Sequence, residues 1–129
     1  MIYVNLLLVF IILIFIHEIG HYLSARFFKT IVTDFSIGFG KPIYTYTDKN
    51  KTNWKFSMIP LGGYVKIKGL ESIFQNNSEK INEENSFQSL NLFKQIIILL
   101  AGSIFNILSA WICLFFILFF FGIATFSTE

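Results

Sequence analysis

His17-Glu18-Ile19-Gly20-His21 places two imidazoles four residues apart, with a carboxylate next to the first. On a helix that spacing puts both histidines on one face, where they can bind a single metal ion while Glu18 holds a water beside it. A metal in such a site acidifies and polarises the water and the glutamate takes its proton, so the chemistry implied is hydrolysis. A longer version of the pattern, used by one class of soluble metal-dependent hydrolases, adds a glycine three residues and a histidine six residues after the second histidine. Ser24 and Phe27 stand there instead, which sets that class aside.

The surroundings sharpen the reading. From Ile2 to Phe28 the only formal charges are on Glu18 and Arg26, and from Ile96 to Ile123 the only ionisable side chain is the Cys113 thiol. At about 1.5 Å per residue, each run is longer than the roughly 30 Å hydrocarbon core of a bilayer, so two spanning helices are expected. Short His-Glu strings arise by chance on exposed helices, where water satisfies them. In an apolar helix His17, Glu18 and His21 have no solvent to pair with, and a bound metal is the economical compensation.

Composition agrees: 54% of the 129 residues are hydrophobic and 19% aromatic, too apolar for a small water-soluble domain. The first run lacks a preceding basic residue and a following small-x-small site, so it reads as mature structure rather than a signal peptide. Cys113, the one cysteine, lies within the second apolar run and reads as a small buried residue. All ten Lys and Arg residues fall between Arg26 and Lys94. By the positive-inside rule the connector is then cytoplasmic and both termini face outward, an N-out/C-out hairpin. Those basic residues alternate with six acids beside membrane helices, so no nucleic-acid partner is expected.

The connector changes period. Phe35–Gly40, Ile43–Thr47, Trp54–Ile59 and Tyr64–Lys68 are short, aromatic or β-branched, and partly alternating, as strands are. Asp48–Asn53 reads as a polar turn, and Pro60-Leu61-Gly62-Gly63 as punctuation between the third and fourth. The expectation is a membrane-associated antiparallel sheet of three or four strands. Its rings could simply rest at the membrane interface. Alternatively, a sheet edge near the histidines could pair with an extended substrate, which helps because a helical substrate hides its peptide bonds until unwound. Glu71–Ser86 is polar and reads as a flexible linker. Phe87, Leu90 and Phe93 suggest a short amphipathic approach along the interface. The organisation expected is a membrane α-helical protein with a small β insert. Its parts are a first transmembrane helix over 1–28, the sheet region over 29–70, linker and approach over 71–90, a second transmembrane helix over 91–123, and a tail over 124–129.

Four blocks carry a family resemblance: HEIGH in the first run, Phe35-Ser36-Ile37-Gly38-Phe39-Gly40-Lys41, Ile59-Pro60-Leu61-Gly62-Gly63-Tyr64-Val65-Lys66, and Ala101-Gly102 with Asn106 in the second run. In that order the chain resembles the N-terminal part of bacterial site-2 proteases of the regulator-of-sigma-E type. The resemblance implies a zinc-dependent intramembrane metalloendopeptidase of the bacterial inner membrane. Its expected partners are the lipid bilayer and membrane-anchored protein substrates, cleaved in regulated intramembrane proteolysis. It implies Zn2+ on His17 and His21, Glu18 as catalytic base, and Gly62, Gly63 and Asn106 as substrate-binding candidates. Two departures stand out. Gly102-Ser103 replaces the family's Gly-Pro, which should leave the second helix straighter. The family's later span, whose Leu-Asp-Gly motif supplies the third metal ligand, is absent along with its PDZ domains. The chain is therefore expected to hold part of a catalytic centre, completed by C-terminal helices.

Gly20 and Ser24 lie four apart, as do Gly102 and Asn106. For Gly20, Ser24 and Gly102 the preferred reading is close helix packing. Asn106 is given a supporting role, orienting a ligand or substrate backbone, and Asn5 an interfacial place. Two other classes remain: a catalytically incomplete hairpin that binds or regulates substrates, and a metal or haem carrier using the histidine pair. Glu18 argues against the carrier, which has no need of a buried base.

Overall fold

The computed structural model describes residues 1–71 and 84–122. Most of the expected linker and all of the expected tail lie outside them. Two long helices, α1 (Ile2–Phe27) and α2 (Leu92–Phe121), flank a sheet of two strands, β1 (Val32–Thr47) and β2 (Asn53–Ile67). Both helices are long and apolar enough to cross a membrane. Leu6, Val9, Ile12, Leu114 and Phe119 are each more than half exposed. A water-soluble chain does not present apolar surface on that scale, and hydrocarbon is the solvent that suits it.

The helices touch where their side chains are smallest. A Cβ on Gly20 would lie 2.6 Å from the Ala101 carbonyl oxygen, so the backbones meet there with nothing between. The Asn91 side chain accepts from the Lys94 amide at 3.1 Å and caps α2, which runs unbroken through Gly102-Ser103. Before α2, Phe87–Ser89 forms a single 3-10 turn. Phe87 is buried at 2% exposure, against the expectation that it lies along an interface. It packs with Tyr22, Val32, Ile67 and Ile98, and its amide donates to the Lys68 carbonyl at 2.7 Å.

The sheet corrects the expected strand count. There are two strands rather than three or four, because the chain stays extended through Lys41-Pro42 and through Pro60-Leu61-Gly62-Gly63. Gly38 and Gly40, at φ of 87° and 84°, take up a series of register shifts, so β1 bends where a break was expected. The bends nevertheless produce four limbs side by side. Phe35 pairs with Val65 on one side and Trp54 on the other, while Trp54 also pairs with Tyr46. The order across the sheet is thus 63–67, 32–37, 53–57, 42–47. Pro42 falls on an outer limb and Pro60 has no ladder partner in the register, the places where a missing N–H costs least.

One face of the sheet packs on the C-terminal half of α1. Phe35 and Trp54 lie with ring centroids 4.4 Å apart, and Tyr22 sits 5.0 Å from Trp54. These rings form a core beneath the sheet, while Tyr44 and Tyr46 stay exposed. Asp48 closes the turn between the strands. Its carboxylate accepts from the amides of Asn50 (2.8 Å) and Thr52 (3.0 Å), from Trp54 Nε1 (3.0 Å) and from the Tyr22 hydroxyl (3.4 Å), tying the turn to α1.

Candidate metal centre

His17 and His21 stand one turn apart on α1, and their Nε2 atoms face each other at 3.2 Å. Two nitrogens about 2.0–2.1 Å from one tetrahedral zinc lie roughly 3.3 Å apart, so the pair has the spacing a shared zinc requires. Helix α2 frames it at three positions four residues apart. The Ile98 carbonyl accepts from His21 Nδ1 at 2.8 Å. A carbonyl only accepts, so Nδ1 carries the proton and the lone pair of Nε2 points into the pair. At Gly102 a Cβ would lie 2.5 Å from His21 Nε2 and 2.6 Å from His17 Nε2. At Asn106 the Nδ2 atom lies 3.4 Å from His17 Nδ1. Ascending α2 descends α1, so the helices run antiparallel through the site.

The sheet covers the other side. A Cβ on Gly63 would lie 2.8 Å from both Glu18 Cγ and the Ser36 carbonyl oxygen, so β2 passes flat over the glutamate because Gly63 has no side chain. Glu18, His21, Gly63, Val65, Ile98 and Leu99 help line a cavity of about 240 Å³ there. The structure thus brings His17, Glu18, His21, Gly63 and Asn106 together. Gly62 turns away and lies under the Phe39 ring.

Gly102 goes beyond the packing role expected of it, because it adjoins the Nε2 atoms of both His17 and His21 rather than only the helix backbone. Gly20 does what was expected, and the Ser24 hydroxyl donates to the His21 carbonyl at 3.0 Å.

Among the described residues, Asp34 and Asp48 are committed elsewhere. Asp34 forms an ion pair with Lys55. Burial pushes its carboxyl up, but the hydrogen bond and charge of Lys55 outweigh that and hold it below its ordinary value. Asp48 is occupied by its turn. Among the described residues no group of three or more His, Cys, Asp or Glu side chains is placed to hold a metal.

The model of peptidase family M50 matches residues 5–128. The chain belongs to peptidase family M50, the site-2 proteases. It is 44% identical over 77% of its length to a protein of Rickettsia conorii, 44% over 80% to one of Fusobacterium nucleatum, and 41% over 86% to one of Bartonella henselae. Each of the three bears the name "Putative zinc metalloprotease". The aligned part covers 28%, 28% and 32% of those proteins, so the chain spans under a third of the relatives it matches.

Proposed function

We propose that the chain forms part of an intramembrane zinc metalloendopeptidase that hydrolyses peptide bonds of membrane-anchored proteins. The observation that carries this reading is the convergence of the His17 and His21 Nε2 atoms at 3.2 Å, beside Glu18, between a helix pair with apolar surroundings and a covering strand. His17 and His21 would hold the metal, which when bound would polarise a water and the scissile carbonyl. Glu18 takes the proton from that water and passes it to the leaving amine. Gly63, with no side chain, lets β2 lie flat against Glu18 without a side chain wedged between them.

A catalytic zinc site normally takes three protein ligands, and Glu18 cannot be one while it serves as base. The third therefore comes from outside the described residues. The limb 63–67 is an outer limb of the sheet and the one nearest Glu18, which supports its pairing with a substrate strand through main-chain hydrogen bonds. The α1–α2 hairpin crosses the inner membrane of a bacterial cell as part of a multi-pass protein. Its sheet lies at the cytoplasmic face, and cleavage there serves regulated intramembrane proteolysis.

Metal analysis of the full protein carrying this chain tests the reading. One zinc per molecule is expected, and His17→Ala or His21→Ala should each remove it. Zinc retained at full stoichiometry in both variants would overturn the assignment.

A further inference from the structure

We propose that Asn106 is a positioning residue that fixes the tautomer of His17 by accepting a hydrogen bond from its Nδ1–H. The inference rests on zinc binding by the histidine pair and adds the group that prepares His17 for it. His21 has such a group already in the Ile98 carbonyl, 2.8 Å from its Nδ1. Among the described residues no backbone carbonyl takes that place for His17. The side chain opposite its Nδ1 is Asn106, two turns along α2 from Ile98, with Gly102 midway.

The direction of the hydrogen bond follows from the chemistry. A histidine that gives the Nε2 lone pair to a metal carries its proton on Nδ1, and that proton needs an acceptor. As placed, Asn106 turns its Nδ2 toward Nδ1 at 3.4 Å, donor to donor for that tautomer. Its Oδ1 is buried with no hydrogen-bond partner among the described residues. The two ends of an amide are nearly the same size and are assigned from their partners. Half a turn of the amide sets Oδ1 against Nδ1–H and moves the NH2 group to where the oxygen now stands. A hydrocarbon side chain of the same shape would fill the space but leave Nδ1–H buried and unpaired.

The test uses the full protein carrying this chain, purified in detergent as wild type, Asn106→Leu and Asn106→Asp. Zinc affinity is measured by chelator competition, and the His17 tautomer by the 15N shift of its ring nitrogens. Leu keeps the bulk and removes the acceptor, so zinc should bind about 10- to 100-fold more weakly, the usual effect of losing an outer-shell partner. Asp keeps an acceptor and removes the donor, so it should retain the affinity and the Nδ1–H tautomer. Wild-type affinity in Asn106→Leu would overturn the assignment, and so would equal losses in Leu and Asp, which would mark a packing role. Absence of zinc from the wild type would instead overturn the histidine site itself.

Discussion

Gly102 lies so close to His21 that a methyl group on it would stand 2.5 Å from the Nε2 atom, and 2.6 Å from that of His17. The two Nε2 atoms converge against bare backbone of the second helix. One apolar run therefore supplies the proposed ligands and the other the wall that leaves them room.

Gly102→Ala should accordingly act on metal binding. Overpacking of this kind costs ~1–3 kcal/mol, and here the atoms that must yield are ends of imidazole rings, so zinc affinity should fall roughly tenfold or more while the fold persists. Gly20→Ala meets the Ala101 backbone, which cannot turn aside, and should lower the unfolding temperature instead. Chelator competition and thermal unfolding of both variants separate the two effects. Equal zinc affinity in wild type and Gly102→Ala would contradict the account.

Much of this arrangement was legible in the sequence because it depends on local spacing. The four-residue interval of His17 and His21, the two apolar runs and the polar turn at Asp48–Asn53 are properties of single segments. What escaped depends on contacts between segments. The role of Gly102 is set by how α2 is rotated against α1, which no spacing within α2 reveals. Phe87 reads as interfacial beside Leu90 and Phe93, and is buried because the chain before α2 pairs with Lys68 at the end of the sheet. Pro60 reads as punctuation between two strands, yet it lies within one strand at a position with no ladder partner in the register. The Tyr22 to Asp48 contact joins residues 26 apart and leaves no local pattern.

Asp34 and Lys55 give a pH dependence. The folded protein holds the Asp34 carboxyl below its ordinary value, so the ion pair contributes stability that is complete above the unfolded carboxyl range and is lost as pH falls through the lower folded value. The pair lies near the surface, so the contribution is at most ~1 kcal/mol. Asp34→Asn should therefore unfold at a lower temperature than wild type near neutral pH, and the gap should narrow progressively as pH falls below the ordinary carboxylate range. A gap independent of pH would show that the carboxylate charge is not what matters.

Antiparallel passage of α1 and α2 fixes which ends share a side of the membrane. Single cysteines at Tyr3 and Phe121, each in a Cys113→Ser background, should react with an impermeant thiol reagent from outside intact cells. A cysteine at Lys49, in the turn between the strands, should react only after the membrane is opened. Labelling of Lys49→Cys in intact cells would overturn the proposed orientation.

The most direct test is a paired measurement of zinc content and cleavage of a membrane-span substrate for Glu18→Gln in the full protein carrying this chain. Glutamine keeps the size of Glu18 and leaves both imidazoles in place, so one zinc per molecule should remain. The base is gone, so the cleavage rate should fall by a factor on the order of 10²–10⁴. Zinc retained with hydrolysis lost is the predicted result, and hydrolysis at the wild-type rate would contradict the assignment of Glu18 as the base.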